Sequence, residues 1–222
     1  MLLALDTSSN TCAVSVSDPE TELARSVTSL ATGHAARLMA AIDEALAAAG
    51  CTYKQLTRIG VAEGPGSFTG LRIGIAAARG LSLALGIPAV GVSTLAALAA
   101  QAQQAFPGET VLALIDAHRG EIYAGLFGPD GTPVGEARAA SIAEARQWAS
   151  ESGAILSGSG AALIAEGLGG ARIAFGAASA DIGVIAAIAA SAKPTGMRPG
   201  PVYLRKPDAK TQAGFAVERI PA

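Results

Sequence analysis

The twenty residues Val61-Ala-Glu-Gly-Pro-Gly-Ser-Phe-Thr-Gly-Leu-Arg-Ile-Gly-Ile-Ala-Ala-Ala-Arg-Gly80 decide how this chain is read. Their apolar start predicts a buried strand over 59–62, and a Gly/Pro loop then feeds a helix over 70–86. Gly64, Gly66 and Gly70 permit close approaches that a Cβ resists, and Pro65 pushes residues 63–64 toward extended geometry. Ser67 or Thr69 is expected to cap the helix, leaving free N–H groups where an anion can bind. Small residues recur at every fourth helical position: Gly70, Gly74, Ala78, Ser82 and Gly86, with Gly80 as a further glycine. Each interior glycine costs about 1 kcal/mol relative to alanine, so close packing along this ridge must compensate. Leu71, Ile75 and Leu83 run beside the ridge, and Arg72 and Arg79 lie one heptad apart. Arg72 falls in the first turn, where the helix dipole disfavours a cation. One reading is a packed core helix with two solvated arginines. The glycine cost and the misplaced arginine point to the other, a contact face for a second chain.

Composition narrows the function classes. Half of the 222 residues are hydrophobic, 4% are aromatic and 15% charged, with a net charge of −2. That balance carries no general nucleic-acid footprint. No run of about 18 uninterrupted apolar residues is present, so no membrane span is expected. The opening Met-Leu-Leu-Ala-Leu-Asp lacks a basic region and does not read as a signal peptide. Cys12 and Cys51 match no metal spacing and suit a reducing compartment, so a cytoplasmic location is expected.

The chain repeats itself. Leu2 to Asp6 reads as a strand, 7–10 as a turn, and Thr11 to Ser17 as a returning strand, with Glu22 to Thr28 a third. His34 to Ala49 reads as an amphipathic helix, and Ser93 caps another that runs to about Ala105. After Pro107-Gly108, Val111 to Asp116, the turn at 117–120 and Glu121 to Phe127 repeat the opening unit. A hairpin turn at 129–131, a helix from Ser141 through Trp148 and a strand over 155–157 follow. Gly158-Ser-Gly160 then turns into a helix, Asp181 to Ala192 is the last helix, and Val202-Tyr-Leu204 is expected to dock as a short segment. Two related α/β lobes are expected, over 1–105 and 106–222.

Four stretches resemble the TsaB (YeaZ) family of bacterial tRNA threonylcarbamoyladenosine biosynthesis. They are Leu3-Ala-Leu-Asp-Thr-Ser8, Gly64-Pro-Gly-Ser-Phe-Thr-Gly-Leu-Arg-Ile-Gly74, Gly86-Ile-Pro-Ala-Val-Gly-Val-Ser-Thr94 and Leu114-Ile-Asp-Ala-His-Arg-Gly-Glu-Ile-Tyr123. The resemblance implies the actin-like, hexokinase-like ATPase fold with two related lobes. It also implies a non-catalytic scaffold subunit that binds the catalytic relative TsaD and, with it, the ATPase TsaE. A homodimer is implied in isolation, with contact to tRNA only through the complex. The expected partner-facing residues are Leu38, Ile42, Gly70, Arg72, Gly74, Ile75, Ala78, Arg79 and Leu83. A bulky side chain at Gly74 should then weaken assembly and leave the fold intact.

The catalytic relative's His-x-x-x-His metal site falls here on Thr94 and Leu98, and leucine cannot ligate a metal. The two histidines, His34 and His118, lie one in each half, so neither a catalytic residue nor a metal site is assigned. Candidate nucleotide-contacting residues by family analogy are Asp6, Thr7 and Ser8 in the first lobe, and Asp116, Gly120, Gly158 and Gly160 in the second. The alternative at both aspartates is that the carboxylate only caps its own turn. No intrinsic cofactor is expected, and ATP or ADP with Mg²⁺ is placed at the subunit seam of the complex. The rival function is a stand-alone actin-fold enzyme, metallopeptidase-like or kinase-like.

Overall fold

Every residue of the strand Leu2–Asp6 (β1) is buried, although the side chains alternate between its two faces. Leu3 and Leu5 join one apolar cluster, and Leu2 and Ala4 join another on the opposite side. A strand covered on both faces must sit inside a layered structure. The structure is a computed structural model and describes residues 1–19, 21–193 and 196–205.

From β1 the first half continues through β2 (Thr11–Ser17), β3 (Glu22–Ser29), α1 (His34–Ala48), β4 (Arg58–Gly64), α2 (Phe68–Leu85), β5 (Ala89–Ser93) and α3 (Thr94–Ala105). The second half repeats that order as β6 (Val111–Asp116), β7 (Glu121–Phe127), β8 (Arg138–Ser141), α4 (Ile142–Ser152), β9 (Ile155–Ser157), α5 (Ala161–Ala165), β10 (Ile173–Phe175) and α6 (Ile182–Ser191). The first sheet is ordered β3-β2-β1-β4-β5 and the second β8-β7-β6-β9-β10, so strand for strand they match. In both, the first three strands are antiparallel and the last two add in parallel. The sequence reading anticipates this duplication but misses β8 and β10. Both are edge strands of three or four residues, too short to show a period.

Five layers result. α1 and α2 cover the outer face of the first sheet, and α4 and α5 the outer face of the second. The middle layer is α3 and α6, which pack between the sheets in one continuous core. Its helices cross over: α6, from the second half, lies against β1 and β4, while α3 lies against β6. A chain rich in alanine and glycine and poor in aromatics lets the layers approach closely. A Cβ on Gly60 of β4 would sit 2.5 Å from the Ala189 Cβ of α6.

The small-residue ridge of α2 has a different partner from the one expected. A Cβ on Gly70 would lie 1.9 Å from the Thr7 carbonyl oxygen, and one on Gly74 would lie 2.6 Å from Thr7 Oγ1. The ridge therefore receives the β1–β2 turn of its own chain, and the Thr7 hydroxyl donates to the Gly70 carbonyl at 2.7 Å. Ser67, not Thr69, caps the helix by accepting from the Gly70 N–H at 3.3 Å, and Gly86 ends it with φ 66°. Pro65 follows a cis peptide bond, and Gly64 takes φ 114° instead of an extended conformation.

The partner-facing assignment is corrected accordingly. Leu38, Ile42 and Ile75 point inward and pack with Leu3, Leu5 and Val61, and Gly70, Gly74 and Ala78 are buried with them. Only Arg72, Arg79 and Leu83 of the expected set are exposed. The apolar period of a helix reports the face that seeks burial, and here the chain's own sheet takes that face. A bulky side chain at Gly74 should therefore disturb the fold itself.

Two alanine substitutions separate these effects. Helix propensity alone makes both Gly70→Ala and Gly80→Ala stabilising. Gly70→Ala should instead destabilise by about 1–3 kcal/mol, because the Thr7 carbonyl is rigid backbone. Gly80→Ala, with open space at the Cβ, should stabilise by about 0.4–1 kcal/mol. Urea denaturation of the two variants gives the signs.

Candidate functional site

β1 and β6 each end on an aspartate followed by a reversal, and the two aspartates are held alike. Asp6 Oδ1 accepts the Ser8 N–H at 2.7 Å, and Asp116 Oδ1 accepts the His118 N–H at 2.8 Å. Each carboxylate thus closes its own turn. In the first lobe the turn is pressed onto the start of α2, where the Ser67 N–H donates to the Ser8 carbonyl at 2.7 Å. Gly66 is required there, since its Cβ would lie 2.5 Å from that same oxygen. In the second lobe the Gly160 N–H donates to the Leu114 carbonyl at 3.0 Å. A Cβ on Gly158 would lie 2.1 Å from the Leu114 oxygen. The Asp116 N–H donates to Ser159 Oγ at 3.1 Å. All seven candidate nucleotide-contacting residues therefore lie at two equivalent strand ends, and Gly158 and Gly160 serve close packing there.

The environments of the two carboxylates differ. Asp6 is 2% exposed, and burial pushes its carboxyl above the usual carboxylate range. The Ser8 hydroxyl and N–H, Ser179 and the nearby His34 oppose that shift without cancelling it. Ser9 and Ser179 hydroxyls meet at 3.1 Å, and His34 Nε2 lies 3.0 Å from the Ser9 carbonyl. Asp116 is more open, with His118 Nδ1 3.5 Å from its Oδ2. His118, Arg119 and Gly120 all have positive φ, at 59°, 58° and 80°. For the two residues with a Cβ this conformation costs about 1–2 kcal/mol each, so neighbouring contacts must hold the turn.

Three residues to which the sequence reading gives no site role, Arg205 among them as an ordinary surface charge, make contacts near the two turns. Glu63, at the end of β4, is half-buried, and its carboxylate lies where a Gly91 side chain would be. Burial raises its pKa, partly offset by a hydrogen bond from the Gly200 N–H. Tyr203 stacks on Phe68 with ring centroids 5.3 Å apart, and its hydroxyl accepts from Arg72 Nε at 3.0 Å. Arg205 donates to the carbonyls of Ala117 at 3.1 Å and His118 at 3.3 Å, and pairs with Glu121. A lone acid ending an apolar strand was the one visible signal, at Glu63. The expected docking of 202–204 agrees with the Val202 N–H donating to the Glu63 carbonyl at 2.8 Å.

Thr94 and Leu98, the positions of the relative's metal histidines, are 1% exposed at the start of α3. Among the described residues no three His, Cys, Asp or Glu side chains are grouped to hold a metal ion. The outer face of α1 and α2 is the other notable feature. Met39, Phe68 and Leu83 are 44%, 54% and 75% exposed there, and Ala35, Ala36, Ala40, Ala76, Gly80 and Ala84 lie exposed between them.

Two five-stranded sheets of matching order, with crossed helices between them, define the duplicated actin-like, hexokinase-like class. A domain described as "TsaD: tRNA N6-adenosine threonylcarbamoyltransferase" matches residues 28–190. YeaZ from Pseudomonas aeruginosa superimposes with a TM-score of 0.78 at 30% identity, covering 91% of this chain and 99% of that one. The tRNA threonylcarbamoyladenosine biosynthesis protein TsaB of Bacillus subtilis is 38% identical over 126 residues, 57% of this chain and 54% of its own. TsaB of Escherichia coli is 36% identical over 122 residues, 55% of this chain and 52% of its own. This chain belongs to the TsaB (YeaZ) family. The match spans about half the length of those two TsaB relatives.

Asp6 allows a pH test. Its folded pKa is raised above the unfolded value, so its ionisation costs stability as pH rises through the folded pKa. Asp6→Asn keeps an acceptor for the Ser8 N–H and removes the buried charge. The variant should unfold at higher urea than the parent at pH 7. The gap should close as pH falls and the parent's carboxyl protonates.

Proposed function

We propose that this chain is a non-catalytic subunit of the machinery that makes N6-threonylcarbamoyladenosine at position 37 of tRNA. It acts by presenting the outer face of α1 and α2 to a partner. One observation carries the reading: Leu83 is 75% exposed beside the exposed Arg79 on α2, with Met39 and Phe68 exposed on the same layer. Exposed apolar patches mark docking surfaces. A cavity of about 280 Å³ adjoins Leu83, between the end of α2 and residues 196–199, with room for a partner's side chain. By length and mean hydropathy, 1.2, α2 would also pass for a membrane span. Its buried ridge, matched to Thr7, supports a soluble packing role instead.

The partner is TsaD by family membership, with TsaE joining through that complex, and a second copy occupies the same face when TsaD is absent. Nucleotide, as ATP or ADP with Mg²⁺, sits at the seam between subunits. That placement is supported by Asp6 and Asp116 each closing its own turn. A net charge of −2 supports contact with tRNA only through the complex. The work takes place in the cytoplasm.

Leu83→Glu tests the docking face. Its effect on stability should stay within about 0.5 kcal/mol, as at other exposed positions. Its affinity for TsaD should fall at least about tenfold, read by titration calorimetry, and reconstituted tRNA modification should fall with it. Unchanged affinity would remove this face from the proposal. Tight Mg²⁺–ATP binding with turnover by the lone chain would favour the stand-alone enzyme.

A further inference from the structure

Residues 199–205 form neither helix nor strand, yet they are held at nearly every step along both lobes. Arg79 Nε donates to the Pro199 carbonyl at 2.6 Å. The Gly200 N–H reaches the Glu63 carboxylate, and the Val202 N–H donates to the Glu63 backbone carbonyl at 2.8 Å. The approach is close because Gly64, at positive φ, has no side chain; a Cβ there would lie 2.8 Å from the Val202 oxygen. Arg72 lies 3.7 Å over the Phe68 ring while its Nε donates to the Tyr203 hydroxyl at 3.0 Å. Leu204 then packs into the core between the sheets.

The far end belongs to the other lobe. Arg205 donates to the carbonyls of Ala117 and His118, pairs with Glu121, and lies 5.9 Å from the Tyr123 ring centre. These carbonyls lie at the start of the β6–β7 turn in which His118 and Arg119 hold left-handed conformations. A strained turn of this kind depends on contacts from outside itself. The segment therefore begins on two arginines of α2 and ends on the strained turn of the second sheet.

We propose that residues 199–205 are a mechanical link between the exposed side of α2 and the β6–β7 turn, so that releasing Arg72 and Arg79 loosens residues 117–121. Both arginines carry exposed surface, where another molecule can compete for them. Loss of their bonds to Pro199 and Tyr203 leaves the segment held on the first lobe through Glu63, and Arg205 then has less holding it on the turn. The link is a property of the single chain and stands whether or not the docking reading does.

Hydrogen–deuterium exchange of the full chain tests it at the amides of 117–121. The Ala117 N–H is bonded to the Glu121 carbonyl at 3.0 Å and the Glu121 N–H to the His118 carbonyl at 3.2 Å. In Arg205→Ala these amides should exchange about tenfold faster, with β1 and β4 unchanged. The Arg72→Ala/Arg79→Ala double variant should accelerate the same amides several-fold, although neither side chain touches the turn. Wild-type exchange at 117–121 in the double variant would overturn the link, even with Arg205→Ala fast. Wild-type exchange in Arg205→Ala would overturn the latch as well. Circular dichroism of each variant keeps unfolding separate from local loosening.

Discussion

The contact between the Thr7 backbone and Gly70 of α2 is the constraint around which the first lobe is arranged. A carbonyl oxygen occupies the space of a missing Cβ, and a hydroxyl from the same residue bonds the helix in return. This contact places the end of β1 against the start of α2, so the Asp6 turn and the Gly64–Ser67 loop form one packed unit. The cost of Gly70 and Gly74 is offset within the chain, whereas Gly80 meets open space. No second molecule is needed to explain Gly70 and Gly74.

That unit also sets the character of the cleft. In each lobe an aspartate closes the reversal after the central strand, and glycines from a later loop press on that strand's end. The repetition is geometric and only partly chemical. Asp6 lies in a buried pocket that raises its pKa, whereas Asp116 faces a more open, strained turn. Residues 199–205 are joined to both lobes. At both strand ends the chain's own groups meet the carboxylates.

The helices divide the remaining tasks. Their inner faces make the apolar clusters, and the alanine-rich middle layer lets α3 and α6 pack between two sheets at short range. On the outer face of α1 and α2 Tyr203 stacks on Phe68, while Met39 and Leu83 remain 44% and 75% exposed. Burial has thus consumed the periodic apolar residues, and the surface left over carries the functional proposal.

Much of this was legible beforehand. Strands ending in Leu-Asp and Ile-Asp before a turn and a returning strand, a glycine loop with a Ser67 or Thr69 cap, and a break at Pro107-Gly108 predict two related lobes, because these are local patterns of hydrophobicity and backbone freedom. The need of α2 for a close partner was equally plain from Gly70 and Gly74. Which surface would supply it was not, since a carbonyl from residue 7 leaves no trace in the spacing of residues 70–86. Leu38 and Ile42 were misplaced for the same reason: periodicity identifies a buried face without saying what buries it. Glu63, Tyr203 and Arg205 became neighbours of the site only through folding, which brings a terminal segment across more than a hundred residues of chain. Local propensity is written residue by residue in the sequence; long-range pairing is decided by the shape of the surfaces that meet.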